Sequence, residues 1–177
     1  MIRKRTRLAA DQYRGRRVYF LTLCCARRRP VFRSPVRAGW FTERLAEVAE
    51  DLGFLVHAWC VMPDHVHLLV EGATAASDLL AFAKDLKQKT AYAAKRTSRL
   101  ELWQPRFYDH ILRPTDSLDR VAWYIWMNPV RKGLCAEPEQ YPFSGSSTVE
   151  WKRKQRPIGE WNPPWKQKCA GLKADAT

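Results

Sequence analysis

A turn signal and a strand signal meet in the segment Met62–Val70, whose sequence is MPDHVHLLV. The Pro-Asp pair near its start is typical of a turn, and the apolar run that follows is typical of a buried strand. Residues two apart in a strand point to the same face, so His65 and His67 would present two imidazoles on one side while Val66 faces the other. Two imidazoles placed in this way can bind a metal ion. The same pattern also fits two histidines on the solvent-exposed face of a half-buried strand.

Strands and helices alternate on both sides of this segment. We predict strands at 18–26, 54–62, 65–71 and 107–112, and helices at 36–52, 77–95 and 114–128, the last ending before Pro129. The order β-α-β-β-α-β-α is typical of an α+β, ferredoxin-like split β-α-β sandwich. We therefore expect an antiparallel four-stranded sheet with helices on one face, and an additional C-terminal helix after the fourth strand.

The chain has 177 residues, of which 46% are apolar, and this is enough for one domain with a real core. We predict a basic N-terminal arm at 1–16, a folded domain at 17–147 and a basic, tryptophan-rich tail at 148–177. No apolar run is long enough to span a bilayer, so we expect no membrane partner. The five cysteines form no Cys-x-x-Cys motif, which favours reduced thiols in a cytoplasmic protein over disulfides or a zinc ribbon.

The charge is strongly positive, with 31 Lys and Arg against 18 Asp and Glu and a net charge of +13. Nucleic acid is the usual partner of a soluble chain with such an excess, because cationic side chains neutralise phosphates and release counterions. Basic residues cluster near the N terminus and in the tail. The residues in these clusters that we predict to contact DNA are Arg14, Arg16, Arg17, Arg27, Arg28, Lys152, Arg153 and Lys154. Alternatively, the clusters are solvated, and the tail tryptophans pack back on the domain.

The last predicted helix carries polar groups beside its apolar stripe. Tyr124 and Asn128 are four residues apart and therefore share a face. Asn is also common at helix ends, so a capping role is the alternative for Asn128. Arg120, one turn before Tyr124, is placed to contact a phosphate or to pair with Asp116, and the sequence favours neither. His110, on the fourth predicted strand, is a further candidate for DNA contact or proton transfer, although a surface or core histidine is the commoner case.

Together these motifs resemble a known family. The strand that carries His65 and His67 matches the His-hydrophobic-His signature of HUH nucleases. The segments YIWMNPVR at 124–131 and LWQPRFY at 102–108 resemble the REP-associated tyrosine transposases, which are relatives of the single-tyrosine, IS200-like insertion-sequence transposases. The resemblance extends from about Arg17 to Ser147, and its motifs have the expected order and spacing. The ferredoxin-like fold of the family agrees with the order of elements predicted above.

The resemblance implies roles for four residues. Tyr124 matches the nucleophile, which attacks a phosphodiester of single-stranded DNA and forms a 5′-phosphotyrosine with a free 3′-hydroxyl. His65 and His67 match two ligands of a divalent cation, Mg²⁺ or Mn²⁺, and Asn128 matches an amide third ligand, where many relatives have Gln. The implied function is a metal-dependent endonuclease and strand transferase that cleaves near palindromic hairpins of single-stranded DNA. The implied state is a monomer or a homodimer, in the cytoplasm and associated with the nucleoid.

Three other interpretations of the sequence compete with this one. In the first, the chain only binds hairpin DNA and its site is vestigial, although the presence of His65, His67 and Tyr124 favours an enzyme. In the second, the nucleophile is another tyrosine, with Tyr108 and Tyr92 next in order. The third, a (β/α)₈ metallohydrolase, is excluded because such a barrel typically needs about 250 residues.

Overall fold

The structure is a computed structural model that describes residues 9–98 and 101–164, apart from the side chains of 97 and 98. The strands within these ranges are β1 Val18–Cys24, β2 Phe54–Met62, β3 His65–Gly72, β4 Tyr108–Ile111 and β5 Ser144–Gly145. The α-helices are α1 Pro35–Asp51, α2 Leu79–Ser98, α3 Leu118–Trp126 and α4 Asn128–Arg131. Short 3₁₀ turns occupy Ala10–Tyr13, Ala26–Arg28, Val31–Arg33, Pro138–Gln140 and Trp151–Arg153.

The strands form one antiparallel sheet in the order β4-β1-β3-β2-β5. The α+β, ferredoxin-like prediction is confirmed, but the sheet has five strands where the sequence predicts four. The added strand β5 has only two residues, and Ser144 and Gly145 pair with Cys60 and Trp59 on the edge of β2. Two residues are too few to produce the alternation that identifies a strand in a sequence.

The two faces of the sheet are covered by different helices, because the side chains of each strand alternate. Leu21, Val66 and Leu68 point into one core, which α1 and α2 cover. Phe20 and Leu69 point into a second core on the opposite face, formed with α3. His65 and His67 share the strand parity of Leu69, so they lie on the face that α3 covers.

The last predicted helix differs from the structure at both ends. It begins at Leu118, where the Ser117 hydroxyl accepts a hydrogen bond from the Arg120 amide at 3.4 Å. It ends at Trp126, and after Met127 a new turn of helix, α4, starts at Asn128. The sequence predicts that the helix ends before Pro129, but Pro129 lies in the first turn of α4. A backbone N–H in the first turn has no partner within the helix, so proline, which has no N–H, is well tolerated there.

The described part of the tail packs against α3. Trp151 stacks on Trp126 with ring centroids 4.9 Å apart, and Trp151 and Trp161 are 5% and 7% exposed. For these two tryptophans the structure therefore favours packing on the domain over a free surface for stacking on DNA. Residues 165–177 of the predicted tail and residues 1–8 of the predicted arm lie outside the described residues. No helix in the described part of the chain is long and apolar enough to cross a bilayer.

Candidate active site

The two histidines of β3 point their rings at a single place. His65 Nε2 and His67 Nε2 lie 3.1 Å apart, and each residue is 8% exposed. Two ligand nitrogens at about 2.1 Å from one cation and at right angles to each other would be roughly 3.0 Å apart. The spacing of the pair therefore matches two adjacent ligand positions on one metal ion.

Each ring is oriented by a partner on its other nitrogen. His65 Nδ1 donates to the Asp64 carboxylate at 2.6 Å, and His67 Nδ1 lies 2.9 Å from the Thr22 hydroxyl on β1. Arg28 in turn contacts the Asp64 carboxylate at 3.2 Å. A proton on His65 Nδ1 leaves the lone pair on Nε2, which is the arrangement commonly seen for metal-binding histidines.

The histidines are held in their neutral form. Burial lowers the pKa of His65, although the hydrogen bond to Asp64 opposes this shift. Burial lowers the pKa of His67 well below 6.5, and the charges of His65, Arg131 and Arg28 add to the effect. Neutral imidazole is the form that binds a metal, so both rings are ready to act as ligands at neutral pH.

Asn128, the third predicted ligand, has its amide oriented by the end of α3. Its Nδ2 donates to the Tyr124 carbonyl at 2.9 Å and to the Ile125 carbonyl at 3.2 Å. These bonds turn Oδ1 away from the helix, and within the described residues Oδ1 accepts no hydrogen bond. Asn128 is 8% exposed and hydrogen-bonds to neither histidine. The C-cap position of α3 is Met127, but the Asn128 amide satisfies two carbonyls of the last turn of α3, which agrees with the capping alternative.

The ligand atoms of His65, His67 and Asn128 fit a cation that the protein coordinates only in part. In residues 9–98 and 101–164, no three His, Cys, Asp or Glu side chains gather as a metal site. The pair of imidazoles therefore needs a ligand of another type, and the Asn128 amide oxygen on the neighbouring helix is of a suitable type. Two nitrogens and one oxygen leave further positions open for phosphate oxygens and water.

Tyr124 lies on the same face of the sheet as the histidines. The Phe20 ring contacts both Tyr124, with centroids 6.2 Å apart, and His67, with centroids 5.4 Å apart. One aromatic ring thus contacts both the predicted nucleophile and a predicted metal ligand. Trp161 packs edge-on to the Tyr124 ring at 5.2 Å, and burial raises the pKa of Tyr124 above 10.

The predicted DNA-contacting arginines divide between the two ends of the sheet. Arg27 and Arg28 follow β1 and lie at the end where Cys24 pairs with His65. Arg16 and Arg17 precede β1 and lie at the opposite end, with Arg14, which forms an ion pair with Asp78 at 3.2 Å. Among the residues from 9 onward that the structure describes, the N-terminal basic clusters therefore do not form one continuous track to the histidines.

The remaining predicted DNA contacts differ in exposure. The His110 side chain is 12% exposed, donates from Nε2 to the Asp116 carboxylate at 3.1 Å and packs on Trp161, which is the environment of a structural histidine. Lys154 pairs with Asp119 at 3.0 Å, whereas Lys152 and Arg153 are exposed. Arg120 lies with Tyr124, Arg131 and Trp161 in a small surface pocket and forms no ion pair with Asp116 or any other described residue.

Three contributors to the site were not assigned a role from the sequence. Thr22 and Phe20 reach the histidines only through the pairing of β1 with β3, and no local pattern indicates that register. Arg131 stacks on the Tyr124 ring with its guanidinium carbon 4.4 Å from the centroid. Local spacing did not indicate this contact, because the predicted helix ends at 128 and Arg131 lies beyond that end.

Comparisons with known proteins give a consistent result. The family described as "Transposase IS200 like" matches residues 16–128. A REP-associated tyrosine transposase of Escherichia coli (strain K12) is 29% identical over 100 residues, which are 56% of this chain and 59% of that protein. A putative REP-associated tyrosine transposase of Haemophilus influenzae is 26% identical over 115 residues, or 59% of this chain and 65% of that protein. The matched regions thus span less than two thirds of these relatives.

A solved structure shares the fold over nearly the whole chain. It is a REP-associated tyrosine transposase bound to a REP hairpin, with a TM-score of 0.70 and 24% identity, and the match covers 90% of this chain and 92% of that one. The family match is longer than half of the chain and includes β3 with its two histidines, Tyr124 and Asn128. The chain therefore belongs to the IS200-like transposase family.

Proposed function

We propose that this protein is a metal-dependent endonuclease and strand transferase that cleaves single-stranded DNA near palindromic repeat hairpins. The observation that carries the proposal is that Tyr124 and the converging His65–His67 pair lie on one face of the sheet, where Phe20 contacts both Tyr124 and His67. A tyrosine and a pair of buried neutral imidazoles supply the nucleophile and the cation ligands that metal-assisted covalent phosphoryl transfer uses.

The proposed reaction uses Tyr124 as the nucleophile. Its hydroxyl loses a proton to water, the Oη–P bond forms, and the bond between phosphorus and the 3′ oxygen breaks. The 3′ oxygen takes a proton from water, which leaves a 5′-phosphotyrosine and a free 3′-hydroxyl. Because the ester retains the energy of the broken bond, a 3′-hydroxyl can attack it and join strands.

His65, His67 and Asn128 would hold the divalent cation. When bound, such a cation supplies positive charge that polarises the scissile phosphate. The contacts from Asp64 and Thr22 keep the two imidazoles aimed at the site without rearrangement. Imidazole ligands favour Mn²⁺ over Mg²⁺ in this role.

The proposed substrate is supported by charge and by similarity. The net charge of +13 fits a polyanionic partner. A fold neighbour is described as bound to a REP hairpin. We infer that this chain likewise binds a DNA hairpin with an adjacent single-stranded segment.

The test is covalent capture of DNA. The protein is incubated with Mn²⁺ or Mg²⁺ and a hairpin oligonucleotide from beside its own gene, labelled at either end, and resolved on a denaturing gel. We expect an adduct that keeps the 3′-end label and releases the 5′-end label. Tyr124→Phe should abolish the adduct and retain DNA binding, whereas the matched variant Tyr108→Phe should form it.

The other outcomes of this assay identify what fails. An adduct in Tyr124→Phe places the nucleophile elsewhere. An adduct that persists in excess chelator contradicts the proposed metal site. Tight hairpin binding with no adduct under any condition indicates the alternative, a hairpin-binding protein without cleavage.

A further inference from the structure

Arg131 is the charged side chain most closely associated with Tyr124. Its guanidinium carbon lies 4.4 Å from the centroid of the Tyr124 ring, and its Nη2 donates to the Tyr124 main-chain carbonyl. A cation over the face of a ring is attracted by the electron density of the ring, and the planar guanidinium stacks there especially well. Arg131 thus contacts the predicted nucleophile at both its ring and its backbone.

The break between α3 and α4 makes this contact possible. Ending α3 at Trp126 leaves carbonyls of its last turn without helical partners, and these must be satisfied by other donors. The Tyr124 carbonyl accepts from both Asn128 Nδ2 and Arg131. The short helix α4 therefore carries both Asn128, the predicted third metal ligand, and Arg131, the cation on the Tyr124 ring. Both side chains hydrogen-bond to the Tyr124 carbonyl.

Other charged and titratable groups around Tyr124 come from several elements. Burial raises the pKa of Tyr124, the charge of Arg131 opposes this rise, and nearby Tyr108 on β4 adds to it. Arg120 on α3 and the Arg156–Glu160 pair line the same small pocket, with Arg156 and Glu160 joined at 2.7 Å. Within the described residues Arg131 forms no ion pair with a carboxylate, although the charge of Glu160 in the same pocket acts on it.

We propose that Arg131 is a positioning residue for the nucleophile: its guanidinium on the ring face and its hydrogen bond to the main-chain carbonyl hold Tyr124 in the orientation needed for attack on DNA. The inference rests on the proposed function of Tyr124. The same orientation is needed when a 3′-hydroxyl attacks the phosphotyrosine, so both directions of the reaction gain from it.

The first experiment observes the Tyr124 ring without DNA. Protein labelled with ¹³C at tyrosine Cζ is studied by NMR at neutral pH, and the Tyr124 signal is assigned by its loss in Tyr124→Phe. We expect Arg131→Gln, which removes the guanidinium from the ring face, to shift and broaden this signal, and Arg131→Lys, which keeps a cation there, to change it less. The half-buried cation Arg44 on α1, paired with Glu47 on the other face, is the matched control, and Arg44→Gln should change nothing. An unchanged Tyr124 signal in Arg131→Gln overturns the proposal.

The second experiment measures the rate of adduct formation at saturating hairpin DNA. We expect Arg131→Gln to form the adduct about tenfold more slowly with hairpin affinity retained, and Arg131→Lys to recover part of the rate. A lower rate in both variants that follows a lowered melting temperature indicates a purely structural role and overturns the proposal. If the wild-type protein forms no adduct, the function proposed for Tyr124 fails, and the NMR signal still decides whether Arg131 positions its ring.

Discussion

His65 and His67 are oriented by two side chains that flank them in different ways. Asp64 is their neighbour in sequence, whereas Thr22 is 45 residues away and reaches His67 only because β1 pairs with β3. Period-two alternation alone predicts that the rings share a face, but not which nitrogen of each ring points into the site. That choice depends on the hydrogen bond made by the other nitrogen.

We expect Thr22→Val to weaken metal binding about 10- to 100-fold, because the nearly isosteric side chain removes the partner of His67 Nδ1 without leaving a cavity. Calorimetric titration with Mn²⁺ measures the affinity. Thr42→Val is the matched control, because the Thr42 hydroxyl bonds only within α1, on the opposite face of the sheet. Equal affinities for the two variants would show that Thr22 does not orient the ligand.

At the scale of elements, the Asp116 carboxylate, just before α3, binds Trp161 of the C-terminal tail. Asp116 accepts hydrogen bonds from the Trp161 indole at 3.0 Å, from the Arg113 amide at 2.9 Å and from His110 at 3.1 Å. Burial raises the pKa of Asp116, but the three hydrogen bonds lower it by more, so the pKa lies below its ordinary value of 3.8. This residue therefore couples β4, α3 and the segment that packs on Tyr124.

We expect Asp116→Asn to lower the free energy of unfolding by ~1–3 kcal/mol at neutral pH, because it leaves buried donors without a charged acceptor. The lowered pKa means that the ionised carboxylate stabilises the fold fully above pH 3.8, and that this contribution is lost as the pH falls through the lower pKa of the folded state. The difference between wild type and variant, measured by urea unfolding, should thus shrink in acid.

Asp119→Asn is the control for this prediction. Asp119 pairs with Lys154 at 3.0 Å on the surface, and such pairs contribute less than ~1 kcal/mol. Equal losses of stability for the two variants at neutral pH would contradict the role assigned to Asp116.

At the scale of the whole molecule, the positive charge is shared between the two ends of the sheet. Arg27 and Arg28 lie near the histidines, and Arg120 lies beside Tyr124, whereas Arg14 is paired with Asp78 at the far end. Long-range attraction of DNA depends on the net charge of the chain, but each phosphate contact depends on where a cation lies.

We expect the affinity for single-stranded DNA to fall steeply with salt, with a log–log slope of about −0.7 for each phosphate neutralised. Arg120→Gln should reduce this slope by about one phosphate, because the side chain lies at the predicted scissile position. Arg14→Gln is the control, because it removes the same positive charge at a site where that charge is already paired with Asp78. Fluorescence anisotropy across a salt series measures both slopes, and equal slopes would exclude a phosphate contact by Arg120.

The sequence by itself determined the features that depend on local spacing. The shared face of His65 and His67 follows from the period of a strand, the shared face of Tyr124 and Asn128 follows from the period of a helix, and the net charge follows from composition. Only the tertiary structure decided which atoms meet: Thr22 on His67, Phe20 on both His67 and Tyr124, and Arg131 on the Tyr124 ring. Strand register and a helix break set these contacts, and both result from packing between segments far apart in the chain.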